Sequence, residues 1–181
     1  VRGLSLAVLL AGIAVPSPAA ESGAKALLSW TAPPGWKKSE YANAGGADPV
    51  VAYESDLGRI QIRVFGAPGS FYRTPEAFMA GPAATSMGRA PELTGRERVA
   101  GRDAAVYRRE YPLADGDPHA HAPDPRTARE CFCVLPPSKD GRFVVLSYSR
   151  ESPAPDPSGA GEKAWKAFLA GASRARKAGP K

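Results

Sequence analysis

Residues 129–149 read RECFCVLPPSKDGRFVVLSYS, and this stretch decides the fold. Arg129 to Leu135 and Arg142 to Ser149 read as two strands, and the Asp140-Gly141 pair between them is a strong tight-turn signal. The second run carries apolar residues on both faces. It is therefore expected to be a central strand covered on both sides.

Working outward, Pro49 to Glu54 and Gly58 to Phe65 form another strand pair around Ser55-Asp56-Leu57-Gly58. Ile60, Ile62 and Val64 alternate with Arg59, Gln61 and Arg63, so one face is buried and the other wet. Thr74-Pro75-Glu76 opens a helix, with Thr as N-cap and Pro at the first helical position, and Gly81-Pro82 interrupts it. Glu92 to Val99 and Asp103 to Tyr111 flank an Ala100-Gly101-Arg102 turn. A final helix is expected from Gly161 to Lys177, because Trp165, Phe168, Leu169 and Ala172 make one apolar stripe. Its cationic end suits a helix C-terminus. Near the start, Pro34-Gly35 marks a turn between Trp30 and Trp36. This order predicts an α+β domain with a mixed, mostly antiparallel sheet and segregated helices.

The chain has 181 residues, 43% hydrophobic and 23% charged, with 19 Gly, 19 Pro and 2 Cys. These values exclude wholesale disorder and a disulfide scaffold, and the length suits a single domain. The net charge of +6 is concentrated at the end, in Arg174, Arg176, Lys177 and Lys181. Elsewhere the signs interleave, as in Arg96-Glu97-Arg98 and Arg108-Arg109-Glu110, which read as solvated strand faces. Nucleic acid is therefore not an expected partner.

Arg2, the apolar run Leu4 to Val15 and the breakers and small residues Pro16 to Ala20 read as a signal peptide over 1–20. Residues 21–28 are then an N-terminal extension, 29–177 the domain and 178–181 a basic tail. The expected location is periplasmic or secreted, with no membrane insertion after signal cleavage.

The layout resembles the PsbP-like group. The residues that carry the likeness are Pro34-Gly35-Trp36, the Thr74 to Phe78 helix start, the Val99 to Ala104 turn and the Phe143 to Ser149 strand before an amphipathic helix. It spans about residues 29–175. The resemblance implies an α/β/α sandwich with helices on both faces, and a non-catalytic module that binds another protein or a small ligand.

Both His and both Cys fall within fifteen residues, as His119-Ala120-His121 and Cys131-Phe132-Cys133. In extended chain each pair shares a face. A hairpin setting 119 opposite 133 and 121 opposite 131 would gather all four as a site for zinc or copper(I). The alternative is that Cys131 and Cys133 are small core residues on a helix-covered sheet, which the apolar strand favours. A Cys131–Cys133 disulfide is a third reading, at the edge of geometric reach in a regular strand. The carboxylate pairs Glu54/Asp56 and Asp115/Asp117 fall in turns and are expected to be solvated. No catalytic residue and no cofactor is assigned.

Overall fold

In the computed structural model, residues 15–16, 19–42, 48–86, 88–112, 127–152 and 158–175 are described. The elements, in chain order, are β1 (Val15–Pro16), α1 (Ala19–Lys25), β2 (Leu28–Ser29), β3 (Lys37–Ala42), β4 (Pro49–Ser55), β5 (Gly58–Phe65) and α2 (Pro75–Ala80). There follow β6 (Glu92–Val99), β7 (Arg102–Pro112), β8 (Thr127–Val134), β9 (Phe143–Ser152), α3 (Ala160–Gly171) and β10 (Ser173–Arg174).

Period-two alternation builds the sheet. Along β5, Ile60, Ile62 and Val64 are at most 2% exposed, while Arg59, Gln61 and Arg63 retain partial exposure. The β4–β5 turn closes with Ser55 opposite Gly58. Gly58 has φ of 132°, and a Cβ there would lie 2.5 Å from the Ser149 carbonyl oxygen, so both conformation and space demand glycine.

The main sheet has eight strands in the order β1-β3-β4-β5-β9-β8-β7-β6, and β2 pairs separately with β10. Every pairing among these strands is antiparallel. The architecture is thus α+β with an antiparallel sheet, formed by two meanders, β3-β4-β5 and β6-β7-β8-β9, that join where β5 meets β9. The Phe143 to Ser149 run is central, as its sequence predicts: β5 lies on one side and β8 on the other.

Alternate residues of the same strands feed two apolar clusters. Ile60, Ile62, Val64, Cys133, Leu146 and Tyr148 pack with Ala24, Leu28, Trp165, Phe168 and Leu169. Phe65, Phe132, Phe143 and Val145 pack with Tyr72, Phe78 and Ala84. Burying each large apolar side chain stabilises the fold by about 1.5–3 kcal/mol. Helix α2 starts where the sequence places it: Thr74 Oγ1 accepts from the Ala77 N–H at 3.2 Å, Pro75 is the first helical residue, and Gly81 caps the end. No helix among the described residues is long and apolar enough to cross a membrane.

Four expectations change. The final helix ends at Gly171 rather than Lys177, because Ala172 turns extended and Ser173 and Arg174 pair with β2. The Ala172 carbonyl accepts from the Ala100 N–H at 3.2 Å, so tertiary pairing overrides the local helical pattern. Arg174 consequently lies beyond the helix, whose last turn holds no cation. Residues 21–28 are more than an extension: they complete α1 and begin β2, and they bury Ala24 and Leu28 at 0% and 1% exposure. Strand β3, sequence KKSEYA, goes unpredicted because its polarity hides its pairing with β4. Finally, Arg109 is no solvated strand residue; its side chain is only 10% exposed.

Candidate functional site

The Cys131-Phe132-Cys133 segment lies in β8, and both cysteines are free. They share one face, as their spacing predicts. Cys131 lies opposite Arg108 and Tyr148, and Cys133 opposite Val106 and Leu146. Cys133 is fully buried in the α3-side cluster, and burial pushes its thiol up to about 12, opposed by a backbone hydrogen bond at Leu146. Burial also raises the Cys131 thiol, with Glu162 adding to the effect and Arg108 and Arg129 opposing it. Metal binding needs thiolate, so this environment favours the core reading of the pair. His119 and His121 lie outside the described residues. Among the described residues no group of three or more His, Cys, Asp or Glu is placed to hold a metal. Of the carboxylate pairs, Glu54 and Asp56 are exposed, as expected; Asp115 and Asp117 lie outside the described residues.

The chemistry on the opposite face of the sheet is richer. Its α2 end is apolar, with Phe65, Phe143, Phe132 and Val145 around Phe78. Further along the same strands, Arg63, Gln61 and Arg59 of β5 stand beside Ser147 and Ser149 of β9, Glu130 of β8, and Arg109 and Tyr111 of β7. Strand register fixes this grouping: Arg59 pairs with Ser149, Ser149 with Glu130, and Glu130 with Arg109.

Glu130 is the hub, with its side chain 2% exposed. Its Oε1 accepts from Arg63 Nη2 at 3.0 Å and its Oε2 from Arg109 Nε at 2.7 Å, with Arg109 Nη2 in ion-pair contact at 2.6 Å. Arg109 Nη1 continues to the Pro82 and Thr85 carbonyls at 3.0 and 3.1 Å, so this guanidinium stitches the segment after α2 onto the sheet. Its carbon also sits 4.5 Å from the Tyr111 ring centroid. Arg63 Nη2 reaches Ser147 Oγ at 3.5 Å, and its carbon lies 5.6 Å from the Phe78 centroid.

At the outer flank, Tyr41 of β3 accepts at its hydroxyl from Arg59 Nη2 at 2.6 Å and Gln61 Nε2 at 2.7 Å. Arg59 Nε also lies 2.9 Å from Glu54 Oε1. Burial raises the Tyr41 phenol most, with Arg59 as the main opposing charge. Tyr111 is likewise raised, first by burial and then by Glu130, against Arg109 and Arg63.

Sequence reading misses this cluster, although one signal exists. In ARECFCV, Glu130 is in phase with Ala128 and Phe132, both buried. A carboxylate in register with an apolar face must find a partner when it is buried. The partners, Arg63 and Arg109, come from strands far away in sequence, and nothing local identifies them.

No family model matches this sequence, and no curated protein does. Among solved structures, the chain is similar to LpqN, described as involved in cell envelope biogenesis of Mycobacterium tuberculosis. The identity is 13% over 81% of this chain and 82% of that chain, with a TM-score of 0.38. At that level the likeness adds nothing to the assignment of fold or site, which rests on the residues above.

Proposed function

We propose that this chain is an exported, non-catalytic binding module of PsbP-like type, with a helix layer on each face of the sheet, periplasmic or secreted in location. Its ligand surface is the polar half of the face that carries α2. One observation supports this most: a sheet face that is apolar at one end gives way to a row of guanidinium, carboxylate, amide and hydroxyl groups around Arg63. Burying this many polar groups is expensive, and hydrophobic side chains there would stabilise the fold at least as well. Their presence is best explained by recognition.

The chemistry fits binding better than catalysis. Both oxygens of Glu130 already accept from guanidinium donors, so it is poorly placed to act as a general base. Helix α3 packed with one apolar cluster and α2 with the other supports the layered reading. Two measurements test the proposal. Sequencing the N-terminus of protein recovered from an exporting host should give a start near residue 21. A thermal-shift screen of small ligands should return hits that are lost in an Arg63→Met variant. An unprocessed N-terminus would remove export, and hits indifferent to the variant would remove the site.

A metal-binding reading through His119, His121, Cys131 and Cys133 rests on one favourable placement, that of the two cysteines on a common face. Zinc and copper analysis of untagged protein decides it; near-stoichiometric metal together with a melting temperature that falls on chelation is the outcome it requires.

A further inference from the structure

The two arginines around Glu130 are not equivalent, and the difference points to a ligand class. Arg109 has a partner at every nitrogen: Nε and Nη2 contact the carboxylate, and Nη1 serves two carbonyl groups. Arg63 shares the same carboxylate, yet its Nε is buried without any hydrogen-bond partner. A charged donor left in this state costs the fold more than a neutral one. Formal charge tells the same story. Arg63 and Arg109 bring two positive charges to one carboxylate, while Arg59 is balanced by Glu54.

The groups around Arg63 add donors. Tyr41 has both hydroxyl lone pairs occupied by Arg59 and Gln61, so it can meet a further partner only as a donor. In the sheet order, β5 with Arg63 lies between β3, which carries Tyr41, and β7, which carries Tyr111. This half-face is therefore short of one negative charge and of acceptors.

Resting on the binding-module reading above, we infer that this face binds a small ligand through a single oxyanion, carboxylate or phosphate, held at Arg63 between Tyr41 and Tyr111. The anion pairs with the part of the Arg63 guanidinium side chain that remains exposed, accepts the Tyr41 proton and neutralises the excess charge. Charge-assisted bonds of this kind are about twice as strong as neutral ones.

The test titrates the full chain with acetate, succinate and phosphate at constant ionic strength against chloride, reading calorimetric heat and melting temperature, with acetamide as a neutral probe. The carboxylates or phosphate should give a saturable response that chloride and acetamide do not, and which of the two binds more tightly identifies the source of the oxyanion. Arg63→Met should weaken that response about tenfold or more. Because this variant also removes a partner of Glu130, Tyr41→Phe is the second arm: it leaves the Arg63–Glu130–Arg109 triad intact and should weaken binding several-fold. A wild-type protein silent to every oxyanion, or binding unchanged in both variants, overturns the inference. A response to acetamide alone that Tyr41→Phe abolishes overturns the oxyanion while the binding surface stands. Silence to all probes, acetamide included, overturns both.

Discussion

On the α3 face, Ile60, Ile62, Cys133 and Leu146 meet Phe168 and Leu169, and the Tyr53 and Tyr148 hydroxyls of the same cluster pair with Trp30 Nε1 and the Leu57 carbonyl. On the α2 face the same strands pass from Phe65, Phe132 and Phe143 to Arg63, Ser147 and Glu130 within a few residues. The backbone ladders are common to both faces, so the difference lies in side chains alone. One face is built to be filled and the other to remain polar after filling. Alternation lets a single strand serve both purposes, because changing a residue on one face leaves its neighbours on the other in place.

If the α3 face is the main source of stability, the largest loss should follow truncation there. Phe168→Ala removes a ring that is 4% exposed, stacked on Trp165 at 6.1 Å and tilted against Tyr53 at 6.4 Å. We expect a loss of about 4 kcal/mol in chemical denaturation; a loss below about 1 kcal/mol would reverse the ranking of the two faces. On the polar half, Glu130→Gln should cost about 3 kcal/mol, because it leaves two guanidiniums sharing a neutral amide. Little change would mean that water already compensates the arginines and that the triad is no buried hub.

Thiol chemistry sharpens the same contrast. In native protein at pH 8, a thiol reagent should leave Cys133 unmodified and react slowly at Cys131, whereas denaturant should release both. Because folding raises the Cys133 thiol from its ordinary 9.0 to about 12, its contribution to stability is fully present below pH 9. It is lost as pH climbs towards 12, since the unfolded chain gives up the proton first. Rapid native labelling of Cys133 would contradict its burial. The smallest effect belongs to the margin of the α2 face: Thr74→Ala removes the cap on Ala77 N and should cost about 1 kcal/mol. Hydrogen exchange at Ala77 would report it locally.

Much of the frame was legible from local pattern. The β4–β5 turn, the Thr74-Pro75 helix start and the centrality of Phe143 to Ser149 each follow from a few adjacent residues and survive in the structure. Long-range pairing was less legible. Strand β3 is polar in sequence and becomes a strand because β4 offers it a partner. The C-terminal end of α3 is decided by β2, whose residues lie near the other end of the chain. The site was the least legible part: Arg63, Arg109 and Glu130 acquire meaning only when β5, β7 and β8 stand side by side, with β9 between. The expectation of one wet face on β5 therefore held for exposure in part and failed for chemistry, since Arg63 spends its wet side on Glu130.

The pairing of Ser173 and Arg174 with Leu28 and Ser29 has a temporal consequence. Leu28 is part of the α3-side core, and the strand that pins it is made long after it. During synthesis, which runs from the N-terminus, the central β5–β9 ladder cannot form until residue 149 has emerged, and the clasp over α3 must wait for residue 174. A nascent chain of this design stays open at β2 until β10 has been made. That delay leaves Leu28 without its strand partner while the central ladders assemble around it.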